Sequence, residues 1–298
     1  MRKKRLSSLK KCLIAVVLSI VLLFPAVFLT LALLRPARTS FKADLFRGVQ
    51  YERIALANPR PVLIHIVKVK VADPSISFFV TQPSIFGDDV EIPASTTSKF
   101  LESSKVKIAI NANFFRPFFS KGPFNFYPHQ GDLVNVTGLA ISKSKQYSQA
   151  SDGWRTFCVG MDKSLSFGDY TCPKETIYAV AGSGMLLKSG RINVKLDKRG
   201  ITRDPQTAIG ISKDGDFLYL VVVDGRQIFY SEGMTPFELA EFLLERDVAS
   251  ALLLDGGGSS TLVAEIDGKP TVLNSPIHTH IPLRQRAVAN HFGVFVNP

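Results

Sequence analysis

Apolar and polar positions along the chain fall into three regimes. Residues 12–34 are apolar throughout apart from Ser19, Pro25 and Thr30. This run of 23 residues suits a helix that crosses a bilayer core, which takes about 20. Residues 35–60 mix polarities around Pro36 and Pro59 and read as a stalk. Beyond residue 60 the dominant period is two. Val67, Val69 and Val71 alternate with Lys68 and Lys70, which predicts a strand with one buried and one wet face. Further strands are predicted near 76–81, 106–110, 138–142, 155–159, 176–187, 206–211, 217–223, 250–254, 261–266 and 287–296. Lys213-Asp214-Gly215 between two apolar runs is a hairpin signal. A short helix is expected at 95–101. A second is expected from 236 to about 246, with Thr235 as N-cap, Pro236 at the first helical position and Glu238 completing a capping box. Phe237, Ala240, Leu243 and Leu244 would form its buried stripe. The predicted fold class is α+β: a mostly antiparallel sheet system with a few packed helices, preceded by one N-terminal transmembrane helix.

Charge narrows the function classes. The first 42 residues hold nine basic side chains and no acidic one, and subtracting those nine from the net charge of +11 leaves +2 for the rest. Nucleic-acid binding, which depends on clustered Lys and Arg, is therefore not expected. Six of the nine precede the apolar run, so the positive-inside rule places 1–11 as a basic cytoplasmic tail, 12–34 as an uncleaved signal anchor and the remainder outside. A cleaved signal peptide would have a shorter apolar region and a small-residue cleavage site. Cys158 and Cys172 are either a disulfide of an oxidising compartment or two free buried thiols. Neither has a Cys or His neighbour at zinc-ligand spacing.

The chemistry concentrates in Leu254-Asp255-Gly256-Gly257-Gly258-Ser259-Ser260-Thr261. An apolar strand delivers a carboxylate to its end, and the glycines allow close backbone approach to a ligand or an anion-binding nest. The alternative is a tight strand-to-strand turn. No Lys follows the glycines, so this is not a nucleotide phosphate loop. Val223-Asp224-Gly225-Arg226 repeats the pattern. If the two strands are neighbours, Asp224 and Asp255 emerge at one sheet edge, where a carboxylate pair can work on a glycosidic bond. Asn111 and Asn113 precede a long aromatic loop at 116–137. One of them would bind ligand while the other ties the loop down, and the loop's Phe side chains are either a sugar-stacking wall or core. His278 and His280 are a close pair without an evident third metal ligand. No metal and no cofactor is assigned.

Several of these segments, in order and spacing, resemble the phosphodiester glycosidase family. They are Asp204-Pro205-Gln206-Thr207, Val223-Asp224-Gly225-Arg226, Gly233-Met234-Thr235, the 254–261 block, Asn274 and Arg286-Ala287-Val288-Ala289-Asn290. Residues 181–187 resemble its middle glycine motif, and 111–115 is a looser match to an upstream segment. The resemblance covers about residues 105–296 and implies that 61–298 is a glycosidase-like domain. Its implied activity is hydrolysis of a glycosyl phosphodiester, a sugar-1-phosphate linkage, in a cell-envelope glycan or glycolipid, since bacterial members are linked with exopolysaccharide or cell-wall metabolism. Asp255, Asp224 and Asn113 are then the expected catalytic residues. Arg226, Arg286, Thr207, Gly256, Gly257, Gly258, Ser259 and Ser260 are the expected substrate and phosphate contacts. Gln206 stands where the family usually has Arg. That departure keeps open a non-catalytic glycan-binding module; a second alternative is an exopolysaccharide assembly protein.

Overall fold

A computed structural model of the chain describes residues 2–83, 90–193 and 202–297. Helix α1, Arg2–Leu33, contains Pro25, and its Lys10–Leu33 portion is long and apolar enough to cross a membrane.

The domain is layered. One sheet has eight strands in the order Phe41–Phe46, Val49–Leu56, Val62–Lys70, Phe217–Val223, Gln206–Ser212, Val248–Leu253, Gly184–Lys188 and Arg191–Ile192. Facing it are two five-stranded sheets. One runs Lys269–Val272, Leu262–Ile266, Ile108–Asn111, His291–Val296 and Ile76–Val80; the other runs Lys145–Ser148, Ala140–Ser142, Thr176–Gly182, Arg155–Gly160 and Leu165–Gly168. Each of these ladders is antiparallel.

The period-two pattern explains the layers. Leu220 and Val222 point into the main core between the sheets, whereas Tyr219, Val221 and Val223 point the other way. The second face is covered by helix α3, Pro236–Leu244, through Leu239, Ala240, Phe242 and Leu243. Helix α2, Thr97–Ser104, packs Phe100 and Leu101 over Ala109 and Val263 on the far side. The central strands are thus buried on both faces.

Several expectations are corrected. Of the segment read as a stalk, 41–46 and 49–56 are the first two strands of the large sheet. Val49 and Tyr51 enter one core and Ile54 the other, an alternation that the intervening Gln50, Glu52 and Arg53 obscured. The predicted 176–187 strand breaks at Ser183, its halves joining different sheets. The aromatic loop contains a small ladder between Phe119–Ser120 and Phe126–Tyr127, and Leu133–Val136 is a further strand. The expected capping box closes: Glu238 N donates to Thr235 Oγ1 at 3.1 Å and Thr235 N to Glu238 Oε2 at 2.8 Å. The buried stripe of α3 nonetheless excludes Leu244, which is exposed. Helix α2 starts later than predicted because Thr96 is its N-cap.

Cys158 and Cys172 form a disulfide, resolving the two alternatives. It closes a short loop, 14 residues apart in sequence, for which chain entropy gives about 3 kcal/mol. Replacing both cysteines by Ala should lower the thermal midpoint by several degrees in calorimetry. An unchanged midpoint would mean that the bond contributes nothing to stability.

Candidate active site

Residues 254–261 carry the chain from the eight-stranded sheet, after Val248–Leu253, to the facing sheet, before Leu262–Ile266. The site lies at this crossing. Leu254 N donates to Thr207 O at 2.9 Å on one sheet, and Asp255 N donates to Ala112 O at 3.0 Å on the other. The Asn111 side chain clamps both ends of the loop. Its Nδ2 donates to Asp255 O at 2.7 Å, and its Oδ1 accepts from Thr261 N at 3.0 Å. Gly257 N donates to Pro205 O at 2.8 Å.

Two glycines are demanded by geometry. Gly257 has φ +59°, and a Cβ on Gly258 would lie 2.5 Å from Arg286 Nη2. The missing side chain at 258 is what lets the guanidinium lie against the loop.

Asp255, Arg226, Arg286, Gly256, Gly257 and Gly258 line one cleft of about 490 Å³, together with Asp204, Gln206 and Phe118. Asp255 is 8% exposed. Burial raises its pKa from 3.8 to about 6, against the opposing pull of Arg286, the Ser259 hydroxyl and the Gly256 N–H. Arg286 is equally buried. Its Nε donates to His278 Nδ1 at 3.1 Å, its Nη1 donates to Ser259 Oγ at 3.0 Å, and its Cζ lies 4.3 Å from the Phe118 ring centroid. Burial lowers the Arg286 pKa to about 10, so it stays cationic at neutral pH. His278 must accept from that cation, so Nδ1 carries no proton. Burial and the charge of Arg286 push its pKa down to about 3. Also lining the cleft, Arg226 donates from Nε to Asp204 Oδ1 at 2.7 Å. Both are about one-third exposed. The cleft therefore offers two guanidiniums and two carboxylates, a combination suited to an anion joined to a centre that becomes positive.

The remaining predicted residues lie behind this surface. Asp224 is not a cleft residue. One carboxylate oxygen accepts from Asn274 Nδ2 at 3.0 Å and Ser275 N at 2.8 Å, and the other lies 3.0 Å from His65 Nε2. His65 Nδ1 is in turn 2.8 Å from the Tyr51 hydroxyl. The two apolar strands that end in these acids are not side by side, because Gln206–Ser212 lies between them; one acid faces the cleft and the other is sealed within the domain. Asn113 is fully buried. Its Nδ2 donates to Thr137 O and Leu139 O, and its Oδ1 accepts from Ala181 N and Asn290 Nδ2. It anchors the aromatic loop and leaves no atom for a sugar. Thr207 Oγ1 lies 3.2 Å from Asn111 Oδ1 and 3.1 Å from Ser260 Oγ, all buried. Ser259 acts through Arg286 and Asp255. The expected nest narrows, because the N–H groups of Gly256, Gly257 and Ser259 bond to Asp255, Pro205 and Gly256.

Sequence reasoning missed Asp204 as a site residue, although it opened a quoted motif. Its signal was a charge two residues before the apolar strand Gln206–Ser212. His278 was weighed only as a metal ligand, and its actual task of accepting from Arg286 had no sequence signature. Gln206 does line the cleft, yet its Nε2 donates to Met234 O at 2.8 Å.

Residues 104–295 match the family model described as phosphodiester glycosidase. The chain is 28% identical over 221 residues to N-acetylglucosamine-1-phosphodiester alpha-N-acetylglucosaminidase of Mus musculus, covering 68% of this chain and 40% of that protein. The Homo sapiens protein of that name is 26% identical over 219 residues, covering 68% and 40%. The chain thus spans about two-fifths of the length of these relatives. The fold is similar to the zebrafish catalytic domain of the same name, auto-inhibited by its pro-peptide, with TM-score 0.58, 20% identity and coverage of 90% of this chain and 92% of that one.

Two stability measurements test this site. The raised pKa of Asp255 means that the folded state holds a proton the unfolded chain has released between pH 3.8 and about 6. Its contribution is present below pH 3.8 and lost as pH rises through 6, by about 3 kcal/mol in total. Asp255→Asn should therefore be more stable than wild type at pH 7 and not at pH 3.5, read by urea denaturation at both. Asp224→Ala should instead destabilise by about 3–5 kcal/mol, since it strips a fully buried polar network of its acceptor. A well-folded Asp224→Ala with an unchanged midpoint would contradict the structural role.

Proposed function

The chain belongs to the phosphodiester glycosidase family, and on that premise we propose that its domain hydrolyses a phosphodiester-linked sugar in a cell-envelope glycan or glycolipid. The observation that carries this reading is a buried carboxylate with a pKa of about 6 in one cleft with two arginines. Water adds to the anomeric carbon and gives up a proton to the surrounding water as the bond from that carbon to the phosphate oxygen breaks, and the electron pair leaves with a phosphate monoester. Arg286, fixed by His278 and Ser259, and Arg226, paired with Asp204, hold the phosphate charge. The leaving monoester has a second ionisation near pH 6, so an acid of pKa about 6 is matched to give it a proton. A bound phosphodiester anion raises the Asp255 pKa further. Asp255 is therefore the proton donor, and Asp204, rather than Asp224, is the second carboxylate, facing the oxocarbenium-like centre. Gln206 in place of the family Arg leaves the phosphate to the two guanidiniums.

The disulfide and the hexabasic flank support a domain held outside the cytoplasm by α1 as a signal anchor.

Full-length protein in detergent should release free sugar from at least one member of a panel of sugar-1-phosphodiesters. Asp255→Asn should lower kcat by about 10²–10⁴-fold. The kcat/KM of wild type should fall as pH rises above about 6, and a limb rising through that pH would instead make Asp255 the base. Arg286→Lys should raise KM about tenfold or more, because an ammonium cannot fork. No release by the folded chain from any substrate would turn the assignment to glycan binding or assembly.

A further inference from the structure

The loop after Arg226 carries two apolar side chains that the domain does not cover. Ile228 and Phe229 are 76% and 87% exposed. The loop that presents them is rigidly built. Gln227 and Ser231 exchange backbone hydrogen bonds at 3.0 and 2.8 Å. The buried Gln227 side chain donates to Ser275 O and accepts from Ser275 Oγ, both at 2.9 Å. Phe229 has φ +63°, a region that bulky residues rarely adopt. An exposed aromatic held in an unfavourable backbone state points to a task for the tip.

The loop is docked on the residues that leave α1. Arg35 Cζ lies 4.2 Å from the Tyr230 ring centroid, and Arg35 Nη1 donates to Gln227 Oε1 at 3.2 Å. Tyr230 Oη donates to Pro36 O at 3.0 Å, and Arg38 Nη1 donates to Phe229 O at 3.1 Å. Arg35 directly follows the 23-residue apolar run. As a helix that run is about 34 Å long, enough to fill a core of about 30 Å. Arg35 then sits at the headgroup boundary, and the loop bonded to it sits there too. Aromatic side chains favour this layer.

We propose that the 227–230 tip seats in the interfacial layer of the bilayer spanned by α1, with Ile228 and Phe229 as its lipid contacts, so that the cleft takes glycosyl phosphodiesters tethered to that bilayer. Arg226 lines the cleft and is three residues from Phe229, a span of at most about 10 Å. That is close to the depth of the headgroup layer, about 5–8 Å per leaflet. The sugar–phosphate bond of a lipid-anchored substrate lies at this level. The substrate half of the proposal rests on the hydrolytic reading, and the seating half on α1 as an anchor.

The test uses the full chain. Trp154 is its sole tryptophan, so Phe229→Trp in a Trp154→Phe background places one indole at the tip. The protein is reconstituted into phosphatidylethanolamine–phosphatidylglycerol vesicles whose acyl chains carry bromine. Blue-shifted emission and quenching by the bromines are expected. Unquenched emission from chains that float with the vesicles overturns the seating. Chains that do not enter the vesicles remove the anchor reading and this inference together. In parallel, an Ile228→Ser/Phe229→Ser double variant should lose about tenfold in turnover of a vesicle-borne glycosyl phosphodiester and nothing on a soluble one. Equal loss on both substrates, or none on either, overturns the substrate half. A wild type inert on both sinks the hydrolytic reading, while the quenching still decides the seat.

Discussion

Three consecutive glycines cannot hold a shape of their own, because each has more backbone freedom to lose than any other residue. The loop of Asp255 is therefore fixed from outside, by amide groups. Asn111 grips it at Asp255 and Thr261, and Asn274 grips it beyond, donating to Ser260 O and accepting from Leu262 N. The same two amides connect the loop to Thr207 on one side and Asp224 on the other. The seam between the two sheets, rather than either sheet alone, sets the geometry of the cleft.

Around that seam charge is buried in two ways. Asp224 is surrounded by donors on both carboxylate oxygens and holds the ends of the 62–70 and 217–223 strands to the segment at 274–275. Asp255 is buried with too few donors to hold its pKa in the ordinary carboxylate range. The contrast separates a fully satisfied acid from an under-satisfied one more clearly than exposure does, since both are buried. Arg286 shows the complementary arrangement. A histidine that stays neutral beside it supplies an acceptor without adding an opposing charge, so the full positive charge is left for a ligand.

Much of the fold was legible in the chain. The apolar run, the capping box of α3, the alternation in 67–71 and the apolar strands at 206–211 and 217–223 depend on local patterns, and each forms. The strands at 41–46 and 49–56 were not legible, because their charged residues face water from a sheet edge and dilute the period. In the site, the glycines, Asp255 and the two arginines were readable as chemistry. Which acid faces the cleft was not, because Asp224 and Asp255 end similar apolar runs and differ only in what the distant His65, Asn274 and Arg286 bring to them. Asn113 shows the same limit. Its four side-chain hydrogen bonds come from residues up to 177 positions away, and no local pattern encodes them.

Only residues 34–40 separate the end of α1 at Leu33 from the first strand at Phe41. Seven residues extend at most about 25 Å, and Arg35, Pro36 and Arg38 are already tied to the domain. On the proposed function, with α1 in a bilayer, the domain searches for substrate in two dimensions rather than three. Its encounter rate then follows the surface density of substrate and the lateral diffusion of both partners, and it is insensitive to how much substrate is dissolved beyond that thin shell. Linkages deep in a surrounding glycan layer would be out of reach, and the short leash would act as a selectivity filter on position rather than on chemistry.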